Sequence, residues 1–210
     1  SIGSHERFPD AAMGYAACEA AGLDVAEGCV GAGTGATVGK LLGPGAAMKA
    51  GVGTWSETLA DGTTVGALVV VNAFGDVWRE HGAILAGARG PDGRPVDSMA
   101  ALRDPRVLAA LGGGAGQNTT LAVVATDATL TKAEAAKLAQ MAHDGLARTI
   151  RPIHTPFDGD TVFALATGRR PGLHLAVLGS IAADVLARAV ERAATEATGM
   201  GGLPAARDLR

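Results

Sequence analysis

A chain of 210 residues, 48% of them hydrophobic and with a formal net charge of −3, is long enough for one sizeable core and too apolar for a disordered or collagen-like protein. Its charges are evenly scattered and only 3% of its residues are aromatic, which leaves no basic stripe for a phosphate backbone and no platform for bases; nucleic acid is excluded as a partner. No apolar run is long enough to span a bilayer, Ser1 to Asp10 lacks a signal-peptide core, and Cys18 and Cys29 have neither metal nor disulfide-framework spacing. These features predict a cytoplasmic protein without membrane contact. Abundant alanine, glycine and valine predict a single α/β domain of closely packed layers over 1–210.

In chain order, Asp10 caps a helix from Ala11 to Ala21 that Gly22 ends, and a short strand follows over Leu23 to Val30. Gly31 to Gly39 is a glycine-rich turn. Asp61-Gly62 then marks a turn before a valine-rich buried strand from Thr63 to Asn72. Gly75 to Gly116 reads as a loop-rich surface stretch holding a short helix near Ser98 to Leu111, with Ser98 as its cap. After Gly112-Gly113-Gly114 comes a strand from Thr119 to Thr126. A capping box, Thr131-Lys-Ala-Glu134, opens a helix to Arg148, and Pro152 marks its end. A strand over Thr161 to Thr167 and a helix from Leu173 to Ala197 complete a strand, helix, strand, helix half.

The chemistry concentrates at Asn118-Thr119. A glycine-rich leader delivers this peptide bond to the first residue of a strand, with the backbone freedom that lets Thr119 Oγ attack the Asn118 carbonyl carbon. Hydrolysis of the resulting ester leaves Thr119 with a free α-amine, whose ordinary pKa of about 7.7–8.0 suits it to deprotonate the neighbouring hydroxyl. One residue then supplies nucleophile and base. Taken alone, Asn-Thr-Thr is more often just the start of a strand after a loop.

The surrounding residues carry more. GQNTTLAVVATDATLTKAEAAKLAQMAHDGLARTIRPIHTPFDGDTVFALATG, with FPDAAMGYAACEA, VGAGTGATVGK and GALVVVNAFGD, resembles the L-aminopeptidase/D-esterase and β-peptidyl aminopeptidase family of N-terminal-nucleophile hydrolases, most of all its 6-aminohexanoate-oligomer (nylon-oligomer) endohydrolase branch. The resemblance covers nearly the whole chain. It implies a four-layer αββα sandwich, self-cleavage into 1–118 and 119–210 that stay associated, and a homo-oligomer, a tetramer by resemblance. It also implies catalytic roles for Thr119, Asn72, Asp158, Asp160 and Lys40, without metal or cofactor. The family's N-terminal segment is expected to be missing here. Relatives specialised for β-peptides use serine with serine and glutamate, whereas this chain has Thr119 with Asp158 and Asp160.

The residues support these roles to different degrees. Carboxylates two apart in extended chain, as in Asp158-Gly159-Asp160, project to one side and can hold an ammonium or hydroxyl, although the same tripeptide also fits a solvated turn. Asn72 closes a buried strand, where its amide can donate to an oxyanion or merely terminate the strand. Lys40 follows a glycine-rich loop that is not a phosphate loop, because Thr34 stands in place of the first required glycine and Leu41 in place of Ser or Thr. The dinucleotide pattern fails at Ala36. The loop reads instead as tight backbone packing; the resemblance implies that Lys40 lies near the nucleophile, although a solvated lysine fits the residues equally well. His5, His81, His143, His154 and His174 are dispersed without metal spacing, and His154, near Asp158 in sequence, reads as a packed loop histidine, with lining of the pocket as the alternative. Neither Ser56 nor Ser180 lies in a nucleophile elbow.

The expected reaction is hydrolysis of short linear amides, 6-aminohexanoate oligomers or small peptides, through an acyl-enzyme on Thr119. The alternatives are an aminopeptidase for β- or α-peptides, an acyltransferase resembling ornithine acetyltransferases, and a survivor of the fold that never processes.

Overall fold

The structure, a computed structural model, describes residues 8–110 and 118–209. The glycine-rich leader before Asn118, and Leu111 at the end of the expected short helix, lie outside the described residues. Asp10 opens α1 (Ala11–Glu19) by accepting the Met13 N–H at 2.8 Å. The strand expected over Leu23 to Val30 does not form. Only Gly28 bridges to Val52, because the Glu27 carboxylate takes the Thr54 N–H at 2.7 Å, where a strand would have paired, and is itself held by Arg192.

Beyond this segment, β1 (Thr37–Val38) pairs with β2 (Met48–Lys49). A hairpin of β3 (Val52–Thr58) and β4 (Thr64–Val70) turns at Asp61-Gly62, where the Asp61 carboxylate accepts the Thr63 N–H and hydroxyl, both at 2.9 Å. Strand β3 escapes a reading by pattern because Val-Gly-Thr-Trp-Ser-Glu-Thr has no clean alternation; pairing with β4 sets its register. Next come β5 (Asp76–Trp78), β6 (Ile84–Ala86), α2 (Ser98–Ala101), α3 (Pro105–Ala110), β7 (Leu121–Ala128), α4 (Lys132–Thr149), β8 (Ile150–Arg151), β9 (Thr161–Arg170) and α5 (Leu175–Thr195). The Thr131/Glu134 capping box forms as read.

Four strands make a sheet in the order β3-β4-β7-β9, antiparallel except for the parallel pair β7-β9, which α4 connects. A small sheet, β6-β5-β8, lies apart from it. Helices α4 and α5 pack on each other, and α5 lies along β3 and β4, burying Val65, Val69, Ala122 and Val124 under Leu178, Ala182, Leu186 and Val190. The many buried alanines of α5 let its backbone approach closely, which is where the alanine-rich composition is used. The alternate side chains of the sheet stay open: Trp55, Leu68, Leu121, Phe163 and Leu165 are exposed, the last at 58%. Among the described residues no helix is long and apolar enough to cross a membrane.

Ser98 is not a cap. Asp97 caps α2 by accepting from Met99 and Ala100, while Ser98 is buried and gives its N–H and hydroxyl to Asp76 at 2.8 and 2.7 Å. Asp76 also takes the Ala88 N–H at 2.9 Å and so ties β5 to the start of α2 and to the segment after β6. Burial pushes its carboxyl up to about 6, against the pull of these donors. Since the folded value is raised, stabilisation by this group is complete below its unfolded value of about 4 and is lost as pH rises through about 6. In urea unfolding, the wild type should therefore lose stability relative to Asp76→Asn between those pH values; parallel curves would contradict the assignment.

Candidate active site

The Asn118-Thr119 bond lies where β7 enters the large sheet, with Thr119 two residues ahead of its regular pairing at Leu121. The Thr119 N–H donates to the Asn72 carbonyl at 2.8 Å, extending the β4-β7 ladder, while Asn118 bridges to Asp158 and extends β7-β9. The junction is thus clamped from both sides. Asn118 is buried and Thr119 half-buried. The Asn118 carbonyl oxygen accepts two hydrogen bonds, from the Gly159 N–H at 2.8 Å and from the Thr119 hydroxyl at 2.6 Å. A Cβ on residue 159 would lie 2.9 Å from Thr119 Oγ1, so glycine is required for the loop to come this close.

Lys40 reaches the same point. Gly39 turns with φ of 70°, its N–H and that of Lys40 pairing with the carbonyls of Gly75 and Phe74, so the glycine-rich loop runs beside the chain that follows Asn72. Lys40 Nζ donates to Asn72 Oδ1 at 2.7 Å and Asn118 Oδ1 at 2.8 Å. Asn72 Oδ1 also accepts the Thr37 N–H at 3.3 Å, which assigns the oxygen end of that amide and leaves Nδ2 as its donor end. Burial pulls Lys40 down to about 8; the neighbouring Lys49 acts in the same direction and Asp158 opposes both.

The two aspartates lie at the junction but face different clients. Asp158 accepts from the Phe74 N–H at 3.1 Å and from the Thr155 N–H and hydroxyl at 3.1 and 2.5 Å. Asp160, its side chain 1% exposed, accepts the Thr120 N–H at 2.8 Å on Oδ1 and the His154 Nδ1–H at 2.9 Å on Oδ2. The Thr119 hydroxyl bonds to neither carboxylate, because it is turned to the Asn118 carbonyl. Lys40, Asn72, Asn118, Thr119, Asp158 and Asp160 are therefore brought together around one peptide bond.

Two participants were not legible by residue type. The Gly159 N–H is a backbone donor, visible in sequence only as the glycine between two aspartates. The contact between His154 and His143, 3.2 Å from Nε2 to Nδ1, joins a loop to α4 and has no spacing signal. His154 is not simply packed, since it is bonded to Asp160. No group of three or more His, Cys, Asp or Glu arranged to hold a metal occurs among the described residues.

Residues 4–207 match the model of peptidase family S58. An uncharacterized aminopeptidase of Mycobacterium tuberculosis is 43% identical over 99% of this chain and 64% of its own length. A 6-aminohexanoate-oligomer endohydrolase of Kocuria sp. is 30% identical over 89% of this chain and 56% of its own length. The chain thus spans less than two thirds of these curated relatives. Among solved structures, the L-aminopeptidase D-Ala-esterase/amidase of Ochrobactrum anthropi, described as a prototype for the serine aminopeptidases and a variant of the Ntn hydrolase fold, superposes with a TM-score of 0.58. It shares 27% identity over 86% of this chain and 47% of that one.

Proposed function

The chain belongs to peptidase family S58, and from that premise we propose that it is an autoprocessing amide hydrolase whose nucleophile is Thr119, released by cleavage of its own Asn118-Thr119 bond. The observation that carries the proposal is the scissile carbonyl itself, with the Gly159 N–H 2.8 Å from its oxygen and the attacking hydroxyl at 2.6 Å. A donor already aimed at the oxygen that becomes an oxyanion is what tetrahedral addition needs. Thr119 Oγ bonds to the Asn118 carbon, its proton passes to the Thr119 nitrogen as the C–N bond breaks, and water hydrolyses the ester. The products are the fragments 1–118, ending in the Asn118 carboxylate, and 119–210, beginning with a free α-amine.

The mature cycle repeats this chemistry on a substrate amide. Thr119 Oγ attacks, the α-amine takes its proton and hands it to the leaving amine, and water then releases the acid. The Asn72 amide and the Lys40 ammonium stabilise the oxyanion, while Asp160 holds the Thr120 amide that follows the nucleophile and Asp158 holds the Phe74 amide and the Thr155 turn. Short linear amides with a free amine, 6-aminohexanoate oligomers or small peptides, are the substrates this reading favours. The mycobacterial relative at 43% identity supports an aminopeptidase as the second reading.

The remaining assignments belong to the same proposal. The exposed apolar face of the large sheet is where the second sheet of an αββα sandwich would lie. A homotetramer is tested by light scattering, and a cytoplasmic location accords with two free cysteines. Intact-mass analysis of purified protein is the primary test: two fragments divided at Asn118-Thr119 support the proposal, and a whole chain with full activity refutes it. A product screen with 6-aminohexanoate oligomers, β-peptides and α-peptides then separates the two substrate readings. Gly159→Ala should slow processing by about tenfold or more, equivalent to ~1.4 kcal/mol, because the added methyl displaces Thr119 Oγ or the donor loop. A time course of fragment appearance measures it, and an unaltered rate would remove Gly159 from the oxyanion site.

A further inference from the structure

Outside the groups already assigned, one side-chain chain leads away from the junction. Asp160 Oδ1 holds the Thr120 N–H, the amide that immediately follows the nucleophile, and Oδ2 holds His154 through its N–H at 3.3 Å and its Nδ1 at 2.9 Å. His154 Nε2 then meets His143 Nδ1 at 3.2 Å, on the α4 helix, with the rings 4.9 Å apart and steeply inclined. His154 takes φ of 55°, the only described residue other than glycine in the left-handed region, so the backbone bears strain at the position that brings this ring to the carboxylate.

The partners fix the protons. A carboxylate only accepts, so His154 carries its proton on Nδ1; in the neutral pair its Nε2 must accept from the His143 Nδ1–H. The charged groups facing the pair are Asp160 on the loop entering β9 and Asp144 on α4, with Asp158 bound to neighbouring Thr155. Burial and His154 hold His143 below the ordinary imidazole value, and the two aspartates oppose this. A charge on either ring would lie against the other across the 3.2 Å contact, so the two act as one unit.

We propose that His154, backed by His143, is a positioning residue that fixes the Asp160 carboxylate on the Thr120 amide and couples protonation of this histidine pair to the reactivity of Thr119. The inference rests on Thr119 being the nucleophile. When the pair gains a proton, the imidazolium draws the Asp160 charge toward His154 and weakens its hold on the Thr120 N–H. The strand bearing the nucleophile then loses its anchor, and hydrolysis falls.

The test compares the wild type, His154→Asn and His143→Gln on a chromogenic aminoacyl anilide. Asparagine tolerates the left-handed backbone and offers an amide donor to Asp160 but does not titrate. On the acid side, log kcat/KM of the wild type should fall with a slope approaching 2, one proton on the Thr119 amine and one on the pair, whereas His154→Asn should fall with a slope of 1. His143→Gln should displace the lower limb, and His154→Ala should lose about tenfold in kcat with little change in KM. Identical profiles in wild type and His154→Asn overturn the proposal even if the variant is less stable. The NMR spectrum of the imidazole nitrogens, which requires no turnover, should show His154 in the Nδ1–H form, and the Nε2–H form overturns it as well. Thr119→Ala separates the two levels: an active Thr119→Ala enzyme defeats the nucleophile, while an inactive one alongside unchanged histidine profiles defeats only the coupling.

Discussion

Thr119→Ala will remain a single chain of full mass after prolonged incubation and will hydrolyse no amide, while Thr119→Ser will still process. The first half follows from atom economy at the junction, where the only hydroxyl on the Asn118 carbonyl among the described residues is that of Thr119, at 2.6 Å. Deleting it removes the attacking atom, and without cleavage there is no α-amine to serve as base, so both losses arise from one change. Each amounts to the whole rate enhancement over water, apart from the residue contributed by binding and the oxyanion donors. Serine keeps the oxygen, and the related O. anthropi enzyme is described as a serine aminopeptidase, so the methyl group is not a chemical necessity. The alanine variant should fold as the wild type does, because the residue-119 N–H keeps the Asn72 carbonyl, the Asn118 carbonyl keeps the Gly159 N–H and the Thr120 N–H keeps the Asp160 carboxylate. A cleaved or active Thr119→Ala protein would mean that another group performs the attack.

What could be read from the sequence tracks how local its cause is. Asp10, Asp61-Gly62 and the Thr131/Glu134 box act within three residues, and each element they announce is present. The helices α4 and α5 and the strand β7 carry periodic patterns and were found within two residues at most boundaries. Elements that depend on distant partners were missed or misplaced. Strand β3 exists because β4 pairs with it, and β5, β6 and β8 are two or three residues long and have no pattern of their own. The Leu23 to Val30 segment is apolar enough for a strand, but Glu27 and Arg192, 165 residues apart, occupy the edge it needed. The site shows the same division. Lys40, Asn72, Asp158 and Asp160 came from resemblance and now lie around one bond, yet the direction in which each carboxylate points, toward Phe74 and Thr155 or toward Thr120 and His154, depends on contacts that no spacing encodes.

Lys40→Met will lower kcat about 10²–10³-fold and remove the alkaline limb of the pH profile. Methionine keeps the length of the stem but not the charge, and it cannot replace the two bonds to Asn72 Oδ1 and Asn118 Oδ1. In the proposed mechanism Lys40 contributes as a cation: its ammonium holds Asn72 Oδ1 in the uncleaved chain, and after processing it would meet the negative charge that develops on the substrate carbonyl oxygen. Because burial pulls it down to about 8, this contribution is complete well below that pH and disappears as pH rises through it. The Thr119 amine imposes the opposite requirement. It acts only when neutral, and its ordinary value is also about 8. Hydrolysis should therefore describe a narrow bell near pH 8, rising as the amine loses its proton and falling as Lys40 loses its own. In Lys40→Met the falling limb is gone and the reduced rate runs to a plateau at high pH. In Lys40→Arg, which stays charged across the range, part of the rate returns without the limb. A bell that persists unchanged in Lys40→Met would assign the alkaline group elsewhere and would leave Lys40 as no more than a clamp on two asparagines.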